Sequence, residues 1–124
     1  MRNLVLALFA ALSISTAVQA ADDPMASAYG NTLVIVDANG VESHIMYSAD
    51  HSFKGTVPSA DYNYKGTWAM GADGKVCRTY SETIPGVPNP DCDADAAVAH
   101  AVGDAWTSSN RGMTYKITLK SGAN

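Results

Sequence analysis

Between residues 62 and 70 the side chains alternate. Tyr62, Tyr64, Gly66, Trp68 and Met70 form one series, and Asn63, Lys65, Thr67 and Ala69 form the other. A period of two places the large apolar groups on one face of a strand and the small or polar groups on the other. Gly71-Ala72-Asp73-Gly74 then provides a turn, and residues 75–82 run back, which makes a central hairpin. The same alternation recurs in residues 113–120, where Met113, Tyr115, Ile117 and Leu119 face away from Thr114, Lys116, Thr118 and Lys120. In residues 41–48, Val41, Ser43, Ile45 and Tyr47 share a face. In residues 51–57, Phe53 and Val57 point inward, and Lys54 and Thr56 outward. Residues 31–37 are apolar and β-branched on both faces, as expected of a strand covered on both sides at least in part. Asn39-Gly40 after it suits a tight type I′ hairpin. Residues 104–108, around Trp106, read as a further short strand. One buried and one wet face is the antiparallel signature.

The breaks are as informative as the runs. Pro58-Ser59-Ala60-Asp61 interrupts a ladder to which proline cannot donate. Residues 84–92 carry Pro85, Gly86, Pro88 and Pro90 and read as an extended loop ending at Cys92. A short alanine-rich helix is expected near residues 94–102, with Asp93 as its cap, Asp95 at the positive end of its dipole and Gly103 as its left-handed stop. These readings give an all-β chain of about seven strands, mostly joined by short turns at roughly ten-residue spacing. The expected architecture is an antiparallel up-and-down meander curled into a small barrel or half-barrel.

The first twenty residues stand apart. Arg2, the apolar run from Leu4 to Leu12 and the small-residue ending Val18-Gln19-Ala20 form the pattern of a secretory signal peptide, with cleavage expected between Ala20 and Ala21. The apolar run is too short for a bilayer span, which takes about 20 residues. Removal of residues 1–20 leaves 104 of the 124 residues, enough for one domain. Residues 21–29 are small, acidic and aperiodic and read as a flexible N-terminal arm. Residues 30–120 form the barrel-like domain, and 121–124 a tail.

The full chain carries a formal charge of −4, and loss of Arg2 makes it −5. An acidic surface argues against nucleic acid and against anionic lipid as partners. No second apolar span follows the leader, so stable membrane insertion is not expected after cleavage. Two cysteines, Cys77 and Cys92, are expected to pair in an oxidising compartment, closing a loop of roughly 15 residues that contributes about 3 kcal/mol in the chain-entropy view.

Four constellations invite a chemical reading. Asp50-His51-Ser52 has the residue types of a hydrolytic triad, but neighbours on a strand point to opposite faces, and a polar turn explains it better. Asp91-Cys92-Asp93-Ala94-Asp95 resembles the start of a calcium loop, yet Ala96 stands where glycine is needed and Val102 where a bidentate glutamate belongs. A solvated acidic helix start is the plainer reading. His44, His51 and His100 share no ligand spacing, so no metal site is assigned. The aromatic set Tyr62, Tyr64, Trp68, Tyr80 and Tyr115 fills the core, lines a pocket or forms a patch for a partner. These five are the candidate ligand-binding residues. No cofactor is expected, and no catalytic residue is assigned.

Several short motifs resemble a group of small exported bacterial proteins. The matching residues are Tyr47-Ser48-Ala49-Asp50, Gly66-Thr67-Trp68, Asp73-Gly74-Lys75-Val76-Cys77, a second cysteine, and Val102-Gly103-Asp104-Ala105-Trp106. The resemblance spans roughly residues 30–120 and implies a disulfide-pinned β-meander, with no activity attached. The Gly-x-Trp strand ahead of a hairpin is also similar, at the level of fold, to lipocalin- and avidin-type barrels. The expectation is an exported, periplasmic or secreted binding module without catalytic activity, which meets a small apolar ligand or an envelope protein. The alternative is a periplasmic protease inhibitor that inserts its N-terminal arm, residues 21–29, into a protease cleft.

Overall fold

The computed structural model describes residues 23–93 and 100–123. Eight strands follow one another: β1 (Thr32–Val36), β2 (Glu42–Tyr47), β3 (Ser52–Val57), β4 (Tyr62–Met70), β5 (Val76–Tyr80), β6 (Asp91–Asp93), β7 (Ala105–Asn110) and β8 (Met113–Lys120). All lie in one antiparallel sheet, in the order β6-β5-β4-β3-β2-β1-β8-β7. The first and last strands pair, with Leu33 opposite Leu119 and Ile35 opposite Ile117. The meander therefore curls into a nearly closed barrel whose seam falls between β6 and β7. Among the described residues no strand pairing joins those two edges.

The alternating pattern is the wall of this barrel. Leu33, Ile45, Tyr47, Phe53, Trp68, Tyr80, Ile117 and Leu119 are buried and form one continuous core. Register follows from that face, because a slip of one residue would turn the whole set outward. Two glycines make the curvature possible. Gly55 lies opposite Tyr64 on the neighbouring strand, and the Tyr64 ring occupies the space that a Cβ at 55 would need. A Cβ on Gly66 would meet the Thr79 carbonyl oxygen at 1.9 Å.

Two expectations about local structure are revised. The eighth strand, β6, lies at the end of the proline-rich segment read as a loop through Cys92. Its three residues pair with Val76, Cys77 and Arg78, and Cys77 stands directly opposite Cys92. The disulfide joins that pair across a sequence separation of 15. Proline ruled out a strand at 84–90 but not immediately beyond it. Asn89 prepares the pairing: its side chain accepts from Tyr80 N at 2.9 Å and donates to Tyr80 O at 3.1 Å. Asp93, expected to cap a helix, is the last residue of β6. Most of the helix expected at 94–102 lies outside the described residues, and its described end, residues 100–102, is not helical. The second revision concerns the hairpin after β1. Only Gly40 there has positive φ, at +81°. The Asp37 carboxylate takes over the turn by accepting from Asn39 N and Val41 N, each at 2.9 Å.

The segment read as a free N-terminal arm is packed in its described part. Met25 and Ala28 are 0% exposed. Asp23 accepts from Met25 N at 2.9 Å and from the Tyr29 hydroxyl at 2.5 Å, bracketing a short 3-10 turn at Ala26–Ala28. The Tyr29 ring lies 6.1 Å from that of Trp68. One methionine and one turn are too little for periodicity to register, yet enough to close one end of the barrel. At the other terminus Thr32 Oγ1 donates to Gly122 O at 2.7 Å, and Asn31 accepts from Gly122 N at 3.0 Å.

Because Met25 fills the barrel end, Met25→Ala is expected to lower stability by about 2–5 kcal/mol. Urea unfolding of the oxidised protein checks this; an unchanged midpoint would mean that the segment is not part of the core.

Candidate functional site

The barrel interior is not filled. A cavity of about 270 Å³ lies within it, lined by Leu33, Ile35, Ile45, Val57 and Ile117 together with tyrosines. Of the five aromatic residues picked from the sequence, Tyr62, Tyr64, Tyr80 and Tyr115 line this cavity. Trp68 does not. Its indole nitrogen donates to Ser48 O at 3.0 Å, and its ring is stacked on His51 at 4.3 Å and meets Tyr47 edge-on at 5.9 Å. It belongs to the closed end with Tyr29. The lining tyrosines are held in place. Tyr64 shares a hydrogen bond with Ser43 Oγ at 2.6 Å, and burial pushes its hydroxyl up to about 12. Tyr62 lies 6.2 Å from Tyr64 and is 40% exposed, at the mouth. Ile84 and Val87, from the proline-rich loop, complete the wall there.

Sequence reasoning missed the polar wall. Arg78 faces inward between Val76 and Tyr80, with its side chain only 6% exposed. Its guanidinium donates to Tyr80 Oη at 3.2 Å, Tyr47 Oη at 2.9 Å, Asp91 Oδ2 at 3.1 Å and Asp93 Oδ2 at 2.5 Å. Asp91 Oδ1 in turn accepts from Arg111 Nη1 at 2.6 Å and Asn110 Nδ2 at 3.3 Å. Asn110 also donates to Asp93 Oδ1. Two cations thus meet two carboxylates, and no buried side-chain polar atom among the described residues lacks a partner. The acidic run read as a solvated helix start is therefore corrected: Asp91 is 4% exposed. The available signal was the period of two through Val76, Arg78 and Tyr80, which places a cation on an apolar face and calls for an anion there.

This cluster closes the barrel. Asp91 and Asp93 lie on β6, Asn110 ends β7, and Arg111 sits in the turn that follows, so their bonds cross the seam that the backbone leaves open. Burial works against the charge on Arg78, but Tyr47, Asp93 and Tyr80 hold it ionised, well above the ordinary arginine value. Burial also raises Asp91, but the Arg111 bond and the Arg78 charge outweigh it and hold the carboxyl below its ordinary 3.8.

Asp50 Oδ1 accepts from Ser52 Oγ at 2.5 Å, and His51 Nδ1 faces Trp68 O at 3.1 Å, so the three do not form a relay. His44 meets Glu42 at 2.9 Å, and His100 stacks on Trp106 at 3.5 Å. Among the described residues, no group of three or more His, Cys, Asp and Glu side chains is placed to hold a metal ion. No helix there is long and apolar enough to cross a membrane. A second hollow, of about 470 Å³, lies on the outer wall beside Lys54 and Lys65, which stand opposite each other on β3 and β4. The fold and its interior define an eight-stranded up-and-down barrel around a partly polar cavity. Comparisons with protein-family models, curated proteins and solved structures returned no match to this chain.

Two outcomes follow from the cluster. Replacing Arg78 with methionine leaves two carboxylates without their buried partner and is expected to cost about 3–5 kcal/mol in denaturant unfolding. Asp91 has a depressed folded pKa, so its stabilising contribution is complete above the unfolded value and is lost as pH falls through the folded one. Urea midpoints measured from pH 7 down to pH 3 should fall more steeply for the wild type than for Asp91→Asn. Parallel curves would contradict the placement of Asp91.

Proposed function

We propose that the protein is an exported, non-catalytic binding module that holds a small, largely apolar molecule inside its barrel. The observation that carries this reading is the interior cavity of about 270 Å³, lined by aliphatic side chains, five tyrosines and a hydrogen-bonded polar cluster. Ligand sites are typically mostly apolar hollows with a few convergent polar groups, and mouths of barrels are common places for them. The outer hollow is lined by two exposed lysines with Thr56, Asn63, Ser81 and Glu82, so it fits a small apolar ligand less well. The leader-like residues 1–20, the disulfide and the motif likeness to small exported bacterial proteins support export. The inhibitor reading has less support. An inserting arm would have to withdraw Met25 from a site where it is fully buried.

The test is retention. The mature protein is incubated with periplasmic extract, desalted and weighed by native mass spectrometry, beside a Val57→Trp variant that fills the cavity. A bound mass on the wild type that disappears from the variant is expected. Equal retention by both proteins, or by neither, would contradict an interior site.

A further inference from the structure

We infer that the cavity takes a small amphipathic carboxylate, with Arg111 as the anchor of its head group. This rests on the reading of the interior as a binding site and adds the chemistry of the ligand. The charged groups that line the cavity, Arg78, Asp91, Asp93 and Arg111, differ in unused hydrogen-bonding capacity. Arg78 has four contacts, to two tyrosines and two aspartates. Asp91 accepts on both oxygens, Oδ1 from Arg111 and Asn110 and Oδ2 from Arg78 and Tyr80. Asp93 also accepts on both, from Asn110 and Arg78. Neither carboxylate has an oxygen left without a donor for a cationic ligand.

Arg111 differs. A guanidinium carries five N–H donors in a fixed fork. Among the described residues Arg111 has two partners: the Asp91 carboxylate, reached through Nη1, and the Tyr115 hydroxyl. Its side chain is 31% exposed, against 5% for Asp91, and it still lines the cavity. The hairpin fixes where that side chain begins. Arg111 has φ +52° and is followed by Gly112 at +73°, a pair of left-handed residues that suits a two-residue turn. Surplus donors at the edge of an apolar hollow favour an acceptor, and an ionised acceptor most of all. A planar carboxylate suits the fork of an arginine better than a point charge does. The apolar body of such a ligand would lie against Ile35, Ile84 and Tyr62. The volume is just below the roughly 300–1,000 Å³ usual for ligand pockets, so the molecule is small.

The probes are 3-phenylpropionate and its neutral amide, 3-phenylpropionamide, titrated by calorimetry into the oxidised mature protein and into Arg111→Gln and Arg111→Lys. The carboxylate is expected to bind at least about tenfold tighter than the amide, as a charge-assisted bond should. Arg111→Gln should abolish that preference, and Arg111→Lys should keep part of it. The amide's binding serves as the check that each variant is folded. Equal affinity of acid and amide, or a preference that survives Arg111→Gln, would overturn the inference while leaving the interior site standing. Binding of neither probe to the wild type would overturn this inference; the interior site itself is judged by retention from extract in the Val57→Trp comparison.

Discussion

One buried guanidinium organises this barrel. Removing an ion from water costs several kcal/mol even after the protein relaxes, and mutual attraction offsets that only when geometry and hydrogen bonding are nearly complete. Arg78 meets the condition, with two carboxylates and two tyrosine hydroxyls around its three nitrogens. What it gathers matters more than what it gains. Asp91 and Asp93 are two of the three residues of β6, a strand whose strand pairing among the described residues is with β5 alone. Those carboxylates then reach Asn110 and Arg111 across the seam. The sheet is therefore closed on this side by charge and hydrogen bonds between side chains.

The remaining walls place the cavity. Disulfide and ion cluster act on opposite faces of β6: Cys92 is tied to Cys77, while Asp91 and Asp93 face inward to Arg78. The arrangement divides the interior. Met25, Trp68 and Leu119 pack one end closed, and Tyr62 with the proline-rich loop borders the hollow. Gly55 matters to that hollow as much as any lining residue, since it makes room for the Tyr64 ring. A barrel held this way combines apolar lining with a polar cluster whose buried atoms are paired, an arrangement suited to holding a molecule and orienting one end of it.

Much of the wall was legible in the sequence, because a period of two is a strong signal wherever one face is dry. The strands through Tyr64, Tyr47 and Ile117 were readable on that basis, as was the pairing of Cys77 with Cys92. The failures share a cause: each feature depends on contacts distant in sequence. β6 is three residues long and carries two aspartates, so neither period nor propensity marks it; only Arg78, thirteen residues before Asp91, explains its burial. The packed segment around Met25 has a single apolar anchor. Trp68 was grouped with the tyrosines because it shares their face, and face alone does not give height along a barrel. The turn at Asp37–Gly40 followed a side-chain bond that the Asn-Gly signal does not encode.

The most direct measurement is hydrogen exchange at the Arg78 Nε–H, observed by NMR at neutral pH in the oxidised protein. A guanidinium bonded on every side within the nearly closed barrel should give a resolved, slowly exchanging Nε–H signal with contacts to the Tyr80 ring, while the more exposed Arg111 exchanges fast. An Arg78 signal lost to rapid exchange with water would mean that the guanidinium is not enclosed, and the closure attributed to it would fall.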